Sequence, residues 1–145
     1  MNRITFFFKI LMVVYILSNF LIVTSDVWSA TYYVSPSGSN SDPGTQSQPW
    51  RTIQHAADSV LLGDTVYVRE GSYTERVTIT RSGTSAYPIA FRAYPAETPV
   101  VHGSFTLSNR EYVHLIGFTI TGSTAYGAVQ FEYGNYNRYN GFKAI

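Results

Sequence analysis

Three short stretches of this chain alternate apolar and polar residues, and they recur at a nearly constant interval. They are Thr65-Val66-Tyr67-Val68-Arg69, Pro88-Ile89-Ala90-Phe91-Arg92 and Tyr112-Val113-His114-Leu115. The interval from Val66 to Ile89 is nearly matched by that from Ile89 to Val113. A second apolar series runs between them: Val77 and Ile79, Val100 and Val101, Phe118 and Ile120. Val77 and Val100 are separated by the same interval as Val66 and Ile89. A strand this short cannot bury a face alone, but stacked repeats bury one another, so a period in the low twenties predicts a solenoid. A flat β-sandwich is the rival; it calls for hairpin turns about every 8–12 residues and has no use for so long a period.

Alternation points Val66, Val68, Ile89, Phe91, Val113 and Leu115 inward. Coils stacked about 4.8 Å apart are expected to set Val66 over Ile89 over Val113, and Val68 over Phe91 over Leu115. Apolar ladders of this kind form the core of a parallel β-helix. Gly71, Gly83, Pro95, Pro99, Gly103, Gly117 and Gly122 suit the corners between strands. Composition agrees with an all-β protein rich in turns: 13% of residues are charged and 16% aromatic, with twelve tyrosines and eleven glycines. The absence of cysteine excludes a disulfide framework and thiolate zinc sites. From Thr31 onward eight basic residues balance eight acidic ones, and no basic run exists, so no nucleic-acid partner is expected.

Residues 1–30 read as a signal peptide. Arg3 and Lys9 precede an apolar core over residues 10–23, and Val27 and Ser29 occupy the −3 and −1 positions of a cut after Ser29, with a cut after Ala30 as competitor. The core is shorter than the ~20 residues of a spanning helix. An uncleaved anchor is the alternative, and the leader is then the only part that meets a membrane. The expected location is outside the cell or on its surface.

Residues 31–64 are expected to hold a strand, a loop and a capping helix, and residues 65–145 the first coils. Thr31-Tyr32-Tyr33-Val34 is β-prone. Residues 35–48 are a loop containing the turn Asp42-Pro43-Gly44-Thr45, where Asp42 is read as ordering its own turn rather than ligating calcium. Trp50, Ile53, Ala56, Ala57, Val60 and Leu61 then share one helical face, ended by Gly63, while Arg51, Gln54, His55 and Asp58 face water. Such a helix covers the exposed end of the first coil, which makes Trp50 a core residue rather than a sugar platform.

The run Pro49-Trp50-Arg51-Thr52-Ile53-Gln54, with Gly63-Asp64-Thr65-Val66-Tyr67-Val68, Gly71-Ser72-Tyr73 and Pro88-Ile89-Ala90-Phe91-Arg92-Ala93-Tyr94, resembles the N-terminal part of secreted right-handed parallel β-helix proteins. These form the pectate-lyase-like superfamily, and the chain resembles especially the branches similar to chondroitinase B/alginate lyases and to family 9 pectate lyases. The resemblance implies a right-handed parallel β-helix with an N-terminal capping helix. For lyases it implies β-elimination on uronic-acid polymers: calcium or basic residues neutralise the carboxylate at C5, and a Lys or Arg removes the C5 proton. It places those groups on coils beyond the first three. No catalytic residue carries over, and Lys143 matches none. The chain is therefore expected to be the N-terminal portion of a longer protein, inactive by itself, with calcium entering only in the full-length form. A non-catalytic surface or carbohydrate-binding β-helix is the alternative.

The candidate contact residues lie on the outer face. Arg69 and Arg92, one such interval apart, are expected at equivalent positions on successive coils, beside an outward column of Tyr67, Ala90 and His114. Together Arg69, Arg92, Tyr67 and His114 suit an acidic polysaccharide. The plainer reading is a solvated face with Glu70 or Glu75 balancing the arginines. His102 reads as a turn residue. His55, His102 and His114 fall on a helix, a corner and a strand, so no metal site is expected from them. Ala128-Val129-Gln130-Phe131 reads as one more strand, and residues 133–141 as an aromatic and amidic tail.

Overall fold

The computed structural model describes residues 28–121, 129–130, 136–140 and 143–144. The leader up to residue 27 and part of the aromatic tail lie outside the described residues. In chain order the elements are β1 (Thr31–Val34), α1 (Ile53–Ser59), β2 (Thr65–Val68), β3 (Ser72–Tyr73), β4 (Arg76–Thr78), β5 (Ile89–Ala93), β6 (Val100–His102), β7 (Ser104–Thr106), β8 (Val113–Ile116), β9 (Thr119–Thr121), β10 (Val129–Gln130), β11 (Arg138–Asn140) and β12 (Lys143–Ala144).

These strands make three parallel sheets. The first has the order β1-β2-β5-β8-β11, the second β12-β9-β6-β3 and the third β10-β7-β4. Each coil visits the three sheets in turn, which is the parallel β-helix that the repeat predicts. The interior is filled from all three sides by Val66, Val68, Phe91 and Leu115, by Val101 and Ile120, and by Val77 and Phe105. Phe105 and Phe118 rings meet at 5.4 Å inside it.

The coil-to-coil register differs from the expected ladders. Val66 stacks on Phe91, not Ile89, and Phe91 on Leu115; Ile89 does stack on Val113. From β2 onward, the step from Thr65 to Ala90 is the longest in the first sheet. The steps from Ala90 to His114 and from His114 to Arg138 are equal to each other and slightly shorter. Val77 and Val100 are not equivalents either. Val77 pairs with Phe105 in the third sheet, while Val100 lies between Ser72 and Thr119 in the second. The cause is unequal turns: residues 79–88 lead back to the first sheet in one coil and only residues 107–112 in the next, while residues 69–71, 94–99 and 117–118 join the first and second sheets in successive coils.

Two of the corner glycines are required by close approach. A Cβ at Gly103 would collide with the Glu75 carbonyl oxygen of the coil below. Gly117 has φ +83° and leaves 2.9 Å between a notional Cβ and that of Ala93.

The helix caps the open end, as expected. Ile53, Ala56, Ala57 and Val60 are fully buried. Leu61, expected on the same face, is 58% exposed, because the helix ends at Ser59 and Val60 already has extended backbone. Trp50 belongs to the core: its ring stacks on Tyr32 at 4.5 Å and its Nε1 donates to the Asp42 carbonyl at 2.9 Å. His55, expected to face water, is half-buried with its ring edge on Trp50 at 5.1 Å. The first helical N–H groups of Ile53 and Gln54 donate to the Glu75 carboxylate at 3.1 and 2.9 Å, while Thr52 accepts from the His55 amide at 3.2 Å. The Gln54 side-chain amide then takes the place of a missing strand: its Oε1 accepts from Thr78 N–H at 2.7 Å and its Nε2 donates to Thr78 C=O at 3.1 Å. An edge that would otherwise be open for pairing is closed in this way.

Candidate functional site

Parity leaves one broad face of the first sheet pointing outward. Two columns of side chains cross it along the coil axis. One runs Tyr33, Tyr67, Arg92, Ile116; the other runs Thr31, Thr65, Ala90, His114, Arg138. Neighbouring rungs lie about 4.8 Å apart, so side chains on adjacent coils touch.

Tyr67 and Arg92 are direct neighbours in the first column. The expectation that Arg69 and Arg92 share a column is overturned, for the unequal turns place Arg92 beside Tyr67 and leave Arg69 just past the end of β2. There Arg69 is used structurally. Its amide donates to the Val34 carbonyl at 2.8 Å. Its guanidinium lies 4.5 Å over the Tyr94 ring and grips the Glu97 carboxylate through Nε at 3.0 Å and Nη2 at 2.8 Å. Glu97 also accepts from the Glu70 amide at 2.7 Å. The hydrogen bonds from Arg69 hold the Glu97 carboxyl below the usual carboxylate range, against the opposing effect of desolvation. The acid that balances Arg69 is therefore Glu97, from the long turn of the next coil. Glu70 contributes only its amide, and Glu75 caps the helix.

The expected column of Tyr67, Ala90 and His114 also divides. Ala90 and His114 share the second column, with Ala90 buried and His114 half-buried, while Tyr67 belongs to the first. Arg92 sits diagonally beside His114, and Arg138 is paired with it directly on the following coil. Burial, then Arg138 and Arg92, lower the His114 pKa below its ordinary value, which keeps the imidazole neutral near pH 7. Arg92 and Arg138 are exposed, and among the described residues no carboxylate pairs with Arg92. Arg92 and Arg138, flanking the neutral His114, are thus the cationic part of the face.

An aromatic group adjoins it. Tyr33 and Tyr67 stack at 5.8 Å, and Tyr94 meets Tyr67 edge-on at 5.9 Å. Sequence reasoning missed Tyr33, Tyr94 and Arg138 as members of this surface. For Arg138 the available signal was its distance from His114 along the chain, which repeats the step from Ala90 to His114. It was hidden in a stretch read only as aromatic and amidic.

The face has the chemistry of an anion-binding surface. Guanidinium groups take carboxylates in a two-pronged geometry, tyrosine rings cover the apolar faces of sugars, and a neutral imidazole both donates and accepts. Among the described residues the outer columns carry no carboxylate, Asp64 and Glu75 are engaged by main-chain N–H groups and Glu97 by Arg69, and no group of three metal-ligating side chains converges. His102 lies elsewhere, at the end of β6, hydrogen-bonded through Nδ1 to the Thr121 hydroxyl of the next coil. A groove of about 230 Å³ between Pro36, Arg51 and Tyr73 has Glu75 as its one acid, already engaged by α1. No helix among the described residues is long and apolar enough to cross a membrane.

Residues 32–144 match the family described as the Pel9A-like, right-handed β-helix region. The chain is 42% identical over 79 residues to pectate lyase PEL9 of Emericella nidulans, covering 53% of this chain and 19% of that protein. It is 44% identical over 80 residues to the protein YwoF of Bacillus subtilis, covering 55% of this chain and 17% of that one. The crystal structure of pectate lyase Pel9A superposes with a TM-score of 0.68 at 22% identity, over 82% of this chain and 34% of that structure; at that identity the likeness concerns the fold. The matched region spans less than a fifth of each curated relative.

Proposed function

The chain belongs to the Pel9A-like right-handed β-helix family, and on that premise we propose that it is the N-terminal portion of an exported polysaccharide lyase, whose whole form cleaves uronic-acid polymers by β-elimination. One observation carries the reading: Arg92, His114 and Arg138 line up on the outer face of the first sheet next to Tyr67. Removing a proton beside a carboxylate builds negative charge on that group, and a site that performs it must neutralise the charge. We assign Arg92 and Arg138 to holding uronate carboxylates, Tyr67 to packing against a sugar ring and His114 to hydrogen bonding between them. Arg69 contributes indirectly, by fixing Tyr94 and the turn that carries Glu97. The base that removes the proton, and any calcium, are assigned to residues outside those described. Export is assigned to the leader, and an acidic polysaccharide is the partner.

The test uses the whole protein on pectate, alginate and chondroitin, following the absorbance of unsaturated uronate products. Product from one of the three is expected. The tyrosine cluster supports a second reading, a carbohydrate-binding β-helix without catalysis, and that reading predicts retention on the polymer with no product. A folded whole protein that neither binds nor cleaves an acidic polysaccharide overturns both.

A further inference from the structure

Asp64 is 2% exposed, one of the two buried polar residues among those described. Its carboxylate takes only main-chain donors, the Ala30 amide on Oδ1 at 2.8 Å and the Leu61 amide on Oδ2 at 2.8 Å. A buried carboxylate is costly unless a positive charge faces it, and among the described residues no cationic side chain pairs with it. Ala30 lies within two residues of the bond that the leader pattern marks for cleavage. Its carbonyl also accepts from the Thr65 amide at 2.9 Å, joining it to the first sheet. Ser29, by contrast, reaches the coil only through its exposed hydroxyl, on the Gly63 carbonyl, and Trp28 is 88% exposed.

We propose that the exported precursor is hydrolysed between Ser29 and Ala30, and that the α-ammonium group so created stays where the Ala30 amide now sits and pairs with the buried Asp64 carboxylate. Water, delivered by a membrane-bound leader peptidase, adds across the amide bond. The carboxyl group leaves with the leader, and the freed amine takes up a proton. The buried acid then gains the charge it lacks, and the new N-terminus is locked to the first rung of the solenoid. A cut one residue later removes both the Ala30 nitrogen and its carbonyl, which strips Asp64 of a donor and Thr65 of its acceptor. It also puts bulky Trp28 three residues before the bond, where small residues are preferred.

The whole protein is secreted from an exporting bacterial host and the N-terminal peptide of the product identified by mass spectrometry. A first residue of Ala30 is expected; a start at Thr31, or retention of residues 1–29, overturns the proposal. The pH dependence of acetylation of the α-amine then reports its charge. The expected pKa lies above the ordinary α-amino range of about 7.7–8.0, and Asp64→Asn returns it to that range. Tyr87, whose carbonyl accepts from the Gly63 amide at 3.0 Å, belongs to the neighbouring turn, and Tyr87→Phe is expected to leave the amine unchanged. If Asp64→Asn does not fold, a chain begun at Ser29 serves instead, since its amine is displaced from Asp64 and titrates ordinarily. An ordinary pKa for Ala30, or an equally raised one for Ser29, overturns the ion pair.

Discussion

The inner and outer faces of the first sheet obey the same alternation, yet they respond differently to a shift of register. On the inner face, sliding one coil by two residues exchanges Ile89 for Phe91 against Val66, one apolar contact for another. On the outer face the same slide decides whether Arg92 stands beside Tyr67 or beside Arg69. A slip of one residue would turn the core outward and is forbidden by burial; a slip of two keeps parity and passes unnoticed in the hydrophobic pattern. The core thus tolerates the ambiguity that the contact surface depends on.

This contrast is open to measurement, and the largest effect belongs to the inner face. Phe91 is fully buried between Val66 and Leu115. Phe91→Ala should cost about 3–5 kcal/mol of stability by urea denaturation; a loss under about 1 kcal/mol would mean that Phe91 is not the rung described. Next comes the outer face. Arg92→Ala should leave stability within about 0.5 kcal/mol while weakening affinity for polygalacturonate roughly tenfold, or about 1.4 kcal/mol, as read by affinity electrophoresis. Unchanged mobility would remove Arg92 from the surface we assign to the polymer.

Arg69→Ala should show the reverse pattern. Its ion pair with Glu97 is partly exposed, so the loss of stability should stay at or below about 1 kcal/mol, with affinity unaltered. An affinity loss matching that of Arg92→Ala would restore the two arginines to one column. The same pair sets a pH dependence. Because the Glu97 pKa is lowered on folding by its hydrogen bonds to Arg69, the folded state binds fewer protons. Its contribution is present above the ordinary carboxylate pKa and disappears as pH falls through the lowered one. Glu97→Gln should flatten that part of the acid stability curve, and a curve of unchanged slope would count against the clamp.

The smallest effect is at His114. Burial and the flanking arginines lower its pKa, while a bound polyanion favours the protonated ring. Affinity for polygalacturonate should therefore rise a few-fold as pH falls below about 6.5, and His114→Gln should abolish the rise. Affinity that falls on acidification, or the same rise in the variant, would exclude His114 from the contact.

Several features were legible in the residues alone. The alternation of Val66, Tyr67 and Val68 is set by the two-residue pleat, and the stripe through Ile53, Ala56, Ala57 and Val60 by the helical period, so inside and outside could be assigned without coordinates. The recurrence in the twenties identified the solenoid, since a flat sandwich of such short strands has no use for so long a period. Which residue stacks on which was beyond that reach. The step of a coil depends on how many residues each turn consumes: residues 79–88 consume more than residues 107–112 of the next coil, and residues 94–99 more than the turns that precede and follow them between the same two sheets. Only the packed coils decided that Glu97 returns to Arg69, that Glu75 and Gln54 join the cap to the first coil, and that Arg138 completes a strip begun by Arg92 and His114. Parity is a local property of the backbone and can be read from sequence; register is a contest among distant contacts, and tertiary packing alone settles it.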